Sequence, residues 1–209
     1  MRRARPRHDA QGLGSARRSE GGAAAALALG LVLVACACGG GDAGDTPGGA
    51  ADLPGTVPDG VVYADPPTGA LPAHAFSAEL LDGTGIRAAE LWAERPLVLV
   101  FTASWCGLCA ESHREAAAAV DEYGGAVALL GIVTEDDAGG ALEYADELDL
   151  GHPIAVGPER VWLNYAAREP PVVVVISRGG KVVRGWPGGV SRAILGRRLG
   201  QLVTRTASR

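Results

Sequence analysis

The stretch Leu97-Val98-Leu99-Val100-Phe101-Thr102-Ala103-Ser104-Trp105-Cys106-Gly107-Leu108-Cys109 decides how the chain is read. Its apolar run is what a strand covered on both faces requires. Two cysteines spaced two residues apart follow, and then a stretch rich in alanine. That order predicts strand, turn, helix, with Cys106 at the N-cap or first position of the helix. Unpaired backbone N–H groups and the positive end of the helix dipole lie there, and both favour thiolate over thiol. Cys109, one turn further in, is expected to be the more buried thiol, within bonding reach of Cys106. In an α/β setting such a pair marks a dithiol redox site. A structural disulfide and half of a zinc site are the alternatives. Zinc usually takes four ligands, and His74, His113 and His152 show no ligand spacing to the pair, so no metal site is expected.

Outward from this stretch, the pattern continues on both sides. Before it, Phe76 to Leu81 reads as a strand, Asp82-Gly83-Thr84-Gly85 as a turn, and Ala88 to Glu94 as a helix closed by Pro96. After it, the helix runs to about Tyr123 and stops at Gly124-Gly125. Ala126 to Val133 is a second buried strand. A helix over Asp136 to Leu148 follows, weakened by Gly139-Gly140, with the acidic Glu135-Asp136-Asp137 complementing its dipole. Ile154 to Val156 is a short strand and Pro158 to Ala167 a short helix with proline in its first turn. Val172 to Ile176, a hairpin turn at Arg178-Gly179-Gly180, and Lys181 to Trp186 come next. Ser191 caps a last helix drawn to about Arg205. The alternation predicts an α/β fold, a mixed sheet with helices on both faces. No internal repeat or second domain is evident.

The N-terminus reads as an address. Arg2, Arg3, Arg5, Arg7, Arg17 and Arg18 precede an apolar run from Ala23 to Ala35. Thirteen residues are short of the roughly 20 that span a bilayer, and fit the core of a signal peptide. The run ends Leu33-Val34-Ala35-Cys36, which resembles the lipobox of bacterial lipoproteins. That resemblance implies cleavage before Cys36 and lipid on its thiol. Cys38 receives no role, and Arg17-Arg18 reads as general signal-peptide charge. The Gly- and Pro-rich residues that follow read as a flexible tether spanning on the order of 30 Å. The expected organisation is therefore a signal peptide over 1–35, a disordered tether over 36–70 and one domain over 71–209. Net charge is −5; the first 35 residues hold six Arg against Asp9 and Glu20, which leaves 13 basic and 22 acidic residues, or −9, in the remainder, and that argues against nucleic-acid binding.

The hairpin with its Leu81-Asp82-Gly83 turn, the Trp105-Cys106-Gly107-Leu108-Cys109 segment and Pro170-Pro171-Val172-Val173-Val174-Val175-Ile176-Ser177 together resemble the extracytoplasmic thioredoxin-fold oxidoreductases of the TlpA/ResA type. The resemblance covers about two-thirds of the chain. It implies thiol–disulfide exchange by Cys106 and Cys109, a substrate rim formed by Trp105 and a cis-proline at Pro171, and no cofactor beyond the Cys106–Cys109 disulfide itself. It also implies a monomer held by lipid on the outer face of the membrane. Its partners would be thiols and disulfides of exported proteins, apocytochrome c among them, and a membrane electron donor or acceptor. The family's side chains near the cysteines are replaced: Val100 stands at its acidic or amide position, Ser112 at its glutamate, Arg114 at its proline, and Pro170 at the usual aliphatic residue before the cis-proline. Because those positions are vacant, the i, i+4 and i, i+7 spacing from the cysteines makes His113 a candidate proton relay. Two rival functions share the fold: a peroxiredoxin-like peroxidase and a copper chaperone. Thr102 lies four residues before Cys106 without the proline of the peroxidase pattern. The copper proteins space their cysteines three apart, and here no methionine beyond Met1 is available as a soft ligand.

Overall fold

The computed structural model describes residues 46–134, 137–149 and 151–205. In chain order, a single 3₁₀ turn at Ala50–Asp52 precedes β1 (Val61–Tyr63), β2 (Ser77–Leu80), β3 (Gly85–Arg87), α1 (Ala88–Glu94), β4 (Leu97–Phe101) and α2 (Cys109–Asp121). Then come β5 (Ala128–Thr134), α3 (Ala138–Leu148), β6 (Ile154–Gly157), α4 (Glu159–Asn164), β7 (Val172–Ser177), β8 (Lys181–Pro187), α5 (Arg192–Leu199) and β9 (Val203–Arg205).

Seven strands form one mixed sheet in the order β3-β2-β6-β5-β4-β7-β8, and β1 pairs with β9 apart from it. β4 lies at the heart of the sheet, parallel to β5 and antiparallel to β7. All five of its residues are buried, as its unbroken apolar sequence requires. Strand alternation then sorts them. Leu97, Leu99 and Phe101 meet Trp92 of α1 and Val161 and Trp162 of α4, whereas Val98 and Val100 meet the alanines of α2 and Leu195 and Leu199 of α5. α3 covers Val133 and Ile154 through Tyr144, Ala145 and Leu148. With few aromatics, the core rests on aliphatic burial, worth about 1.5–3 kcal/mol for each fully buried large side chain. The expected mixed sheet with helices on both faces is therefore what the chain forms.

Several expected boundaries move. α2 begins at Cys109 with Leu108 in the N-cap position, so Cys106 lies in the preceding turn and not on the helix. α4 is shorter than expected at both ends. The last helix stops at Leu199, and Val203–Arg205 turns back as a strand against Val61–Tyr63. Ser191 holds the N-cap position of α5 without a side-chain bond; Glu115 Oε2 instead accepts from the Arg192 N–H at 2.6 Å.

The largest correction concerns the tether. From residue 46 onward the chain is seated on the domain. Gly48 gives its carbonyl to Ile154 N (2.9 Å) and adopts φ +77 so close to Leu81 and Ile154 that a Cβ would lie 3.0 Å from Leu81 Cδ1. The Ala50 N–H donates to Asp82 Oδ2 (2.7 Å), Leu53 packs on the core, and the Tyr63 hydroxyl donates to Ala126 O (3.0 Å). Arg95, only 4% exposed, donates to Gly55 O (2.7 Å) and Gly125 O (2.6 Å), pinning this segment across the corner between β4 and β5. Glycine and proline are here the vocabulary of a close-fitting irregular segment. The signal peptide, the first ten tether residues, Cys36 and Cys38 lie outside the described residues.

Arg95→Ala removes the buried guanidinium that bonds the Gly55 and Gly125 carbonyls and loosens this strap. A loss of about 2 kcal/mol in unfolding free energy is expected in urea titration. A change within about 0.3 kcal/mol would show that the strap is not coupled to the fold.

Candidate active site

The C-terminal end of β4 delivers the cysteines. Thr102 is fully buried; its N–H continues the ladder to Ile132 O (3.0 Å) and its hydroxyl donates to Tyr144 of α3 (2.7 Å). Ser104 then gives both its N–H (2.7 Å to Oδ2) and its hydroxyl to the carboxylate of Asp137, which is itself buried. Gly140 packs so tightly on this pair that a Cβ would sit 2.9 Å from Ser104 Cβ. Tight turns follow: Cys106 N to Ala103 O (3.1 Å) and Cys109 N to Cys106 O (3.0 Å). Both ends of the Trp105–Leu108 turn are thereby fixed, one by α3 and the other by the start of α2.

Cys106 and Cys109 form a disulfide with their Cα atoms 5.3 Å apart. Their environments differ. Cys106 is partly exposed and Cys109 fully buried. Trp105 (73% exposed) and Leu108 (65% exposed), in the same turn as Cys106, stand in solvent. A reagent can therefore reach one sulfur of the pair and not the other.

The Pro170–Pro171 peptide bond is cis. Pro171 opens β7 and accepts from Gly188 N (2.8 Å). Gly189, at φ +89, sits against both Ser112 and Pro171: a Cβ there would lie 3.0 Å from Ser112 Cβ and 3.5 Å from Pro171 Cγ. Pro171 is in this way joined through Gly189 to the first turn of the cysteine helix. Pro170 presents a carbonyl beside Pro171 and no N–H.

The side chains that replace the expected helpers are accounted for one by one. Val100 is buried among Ala116, Val190 and Leu195, a setting with no partner for a charge. Arg114 is exposed. Ser112 is buried, and its Oγ has no hydrogen-bond partner. His113 is fully buried, and its Nδ1 lies 3.3 Å from the Tyr144 hydroxyl while Nε2 is unpartnered. Burial pulls its pKa down to about 3, with small contributions from His152 and Arg114. The same burial pushes the Tyr144 hydroxyl up to about 12. His113 packs on Gly131 of β5, where a Cβ would meet its Cε1 at 3.0 Å. It is hydrogen-bonded to Tyr144 and to neither cysteine. Sequence reasoning missed the chain Thr102–Tyr144–His113 and the Ser104–Asp137–Gly140 latch. Asp137 belongs to this latch, where a dipole-complementing role was expected; Glu135 and Asp136 lie outside the described residues. Among the described residues no group of three His, Cys, Asp or Glu side chains is placed to hold a metal ion, and no helix is long and apolar enough to cross a membrane.

Comparison with known proteins agrees with this geometry. The Redoxin family model matches residues 67–191. Among solved structures, a secreted Mycobacterium tuberculosis disulfide oxidoreductase homologous to E. coli DsbE is 23% identical with a TM-score of 0.52, covering 60% of this chain and 94% of its own. The pneumococcal exposed lipoprotein thioredoxin of Streptococcus pneumoniae is 24% identical with a TM-score of 0.55, covering 62% and 100%. A thiol:disulfide interchange protein of Chlorobium tepidum is 19% identical with a TM-score of 0.53, covering 64% and 95%. No curated protein matches the chain.

The depressed pKa of His113 has a sign that can be tested. Between its ordinary 6.5 and about 3 the unfolded chain binds a proton at this position that the folded chain refuses. Unfolding free energy should therefore fall as pH drops from about 6 to 4.5, with a His113 contribution approaching 1.4 kcal/mol per pH unit. His113→Gln should flatten the slope in that window; an unchanged slope would contradict a neutral, buried imidazole. The chain belongs to the Redoxin family, as a thioredoxin-like oxidoreductase in which Cys106 and Cys109 form a disulfide.

Proposed function

We propose that the protein reduces disulfides of exported proteins from a lipid anchor on the outer face of a bacterial membrane. The observation that carries the exchange chemistry is the unequal exposure of the two sulfurs, Cys106 partly open beside Trp105 and Cys109 buried beneath it. In the reduced protein, the Cys106 thiolate attacks one sulfur of a substrate disulfide. A bond forms between Cys106 and that sulfur, the substrate S–S bond breaks, and the departing thiolate takes up a proton. Cys109 then loses its proton and attacks Cys106, closing the intramolecular disulfide and releasing the second substrate thiol. Two electrons pass to the substrate, and a membrane dithiol donor returns them to the protein.

Trp105 and Pro171 form the rim on which the substrate chain lies. Backbone pairing beside Pro171 is one-sided, because Pro170 can accept a hydrogen bond and cannot donate one. His113 carries no step in this scheme: a neutral imidazole with so low a pKa is a weak acceptor for a thiol proton, and its bonded partner is Tyr144. Export and anchoring rest on the Arg-rich leader, the apolar run and the Leu33-Val34-Ala35-Cys36 box. They are in keeping with the secreted and surface-exposed settings of two proteins of the same fold. Apocytochrome c is the substrate suggested by the TlpA/ResA resemblance. The peroxidase reading is less favoured, since the Thr102 hydroxyl is buried and committed to Tyr144.

The test is a Cys109→Ser variant expressed in the native host, which arrests exchange at the mixed disulfide. Exported cysteine-containing proteins and a membrane dithiol protein should be recovered covalently bound to Cys106. Recovery of no covalent partner would contradict the reading, and recovery of a broad set of secreted proteins without a membrane donor would reverse the direction of electron flow.

A further inference from the structure

Beside the disulfide, the first turns of α2 and the Gly188–Ser191 loop enclose a groove of about 490 Å³. Its side-chain charges are Glu111 and Glu115, and no cationic side chain lines it. The Glu111 side chain is exposed and makes no ion pair or hydrogen bond to the described residues. Glu115 uses one oxygen to accept the Arg192 N–H, which leaves the other free. Both helix starts that border the groove already face a carboxylate, α5 through Glu115 and α2 through Glu111 in its first turn, so neither offers an uncompensated positive end to an anion. The Arg192 guanidinium is turned away to Glu122 (2.7 Å), and Arg114 lies on α2 but does not line the groove.

Ser112 is only 7% exposed, and its Oγ, lying against Gly189, has no partner. A buried hydroxyl left in this state carries a desolvation cost that an incoming donor would relieve. Lysine and arginine supply only N–H donors at their charged ends, so a carboxylate pair with a hydroxyl between them matches either one. On the far side of the turn the same bias recurs: a smaller cleft of about 240 Å³ beside Trp105 is lined by Glu143 and Glu147, again without a cation.

We propose that the groove selects substrates carrying a lysine or arginine next to the cysteine under attack, with Glu111 and Glu115 as its specificity-determining residues. The inference rests on the disulfide-exchange reading above. The partner it defines is a polypeptide with a basic residue flanking its disulfide. Ser112 Oγ accepts from the cation or from the backbone that carries it, and Cys106 meets the adjacent sulfur. Selection of this kind acts mainly through the encounter, so it should weaken as salt screens the carboxylates.

The test uses the reduced full chain and three synthetic peptides. They share one intrachain disulfide and differ only in having lysine, serine or glutamate beside each cysteine. Second-order reduction rates are measured by stopped flow at low salt and at about 0.5 M NaCl. The lysine peptide should exceed the glutamate peptide by about tenfold at low salt, falling to roughly twofold at high salt. In the double variant Glu111→Gln, Glu115→Gln, which keeps an oxygen for the Arg192 N–H, the lysine-to-glutamate ratio should drop roughly threefold or more at low salt. The ratio cancels any change in Cys106 reactivity common to both peptides. Equal rates for the two charged peptides, or an undiminished ratio in the double variant, would overturn the proposal. Failure of the wild-type protein to reduce even the serine peptide would overturn the exchange reading on which the proposal rests.

Discussion

One carboxylate holds the reactive turn in place. Asp137 receives both the N–H and the hydroxyl of Ser104, two residues before Cys106, and Gly140 lets α3 approach closely enough for that bond to form. A turn between a central strand and a helix could otherwise take many shapes. Here it is fixed at its near end by α3 and at its far end by the first hydrogen bonds of α2. Trp105 and Leu108 can therefore stand in solvent without the turn losing its form. Charge-assisted bonds to a buried carboxylate are among the stronger polar contacts available to a small domain.

The same layout explains why the pair is asymmetric. β4 is covered on both faces, so its end must emerge at the edge of the packed layers. Cys106 lies at that edge, and Cys109, the first residue of α2, lies inside it. The neighbouring polar groups are arranged for order more than for proton traffic. Thr102, Tyr144 and His113 form a short buried chain between strand and helices. The imidazole is fully buried, and that burial holds its pKa low. Val100, where relatives of the TlpA/ResA type carry a polar side chain, is part of the apolar seam between β4 and α5. Among the described residues no acid or base is hydrogen-bonded to either sulfur, and the asymmetry of the pair rests on exposure and local backbone geometry.

Much of this was legible in the sequence. The continuous apolar runs at 97–101 and 172–176 declared the central strands, because a doubly covered strand has no polar alternation to hide. The cysteine spacing declared the pair, and the resemblance to the TlpA/ResA type implied the cis bond at Pro171. What sequence reasoning misjudged depended on contacts between distant residues. The segment from residue 46 looked like a tether because glycine and proline have the same composition in a free linker and in a strap pressed onto Leu81 and Ile154. Gly140 looked like a weakness in a helix, since nothing local reveals that Ser104 lies against it. His113 shares a helix face with the cysteines by spacing, but that face is wide enough for its ring to be taken up by Tyr144 and Gly131. Val203–Arg205 continued a helical reading until its partner, Val61–Tyr63, was known.

The cysteine pair presents one accessible sulfur and one concealed sulfur. The most direct measurement is alkylation of the freshly reduced protein with limiting iodoacetamide at neutral pH, with the modified cysteine identified by mass spectrometry of its peptides. The structure predicts that Cys106 is labelled well before Cys109. Equal labelling of the two, or earlier labelling of Cys109, would contradict the assignment of attacking and resolving thiols.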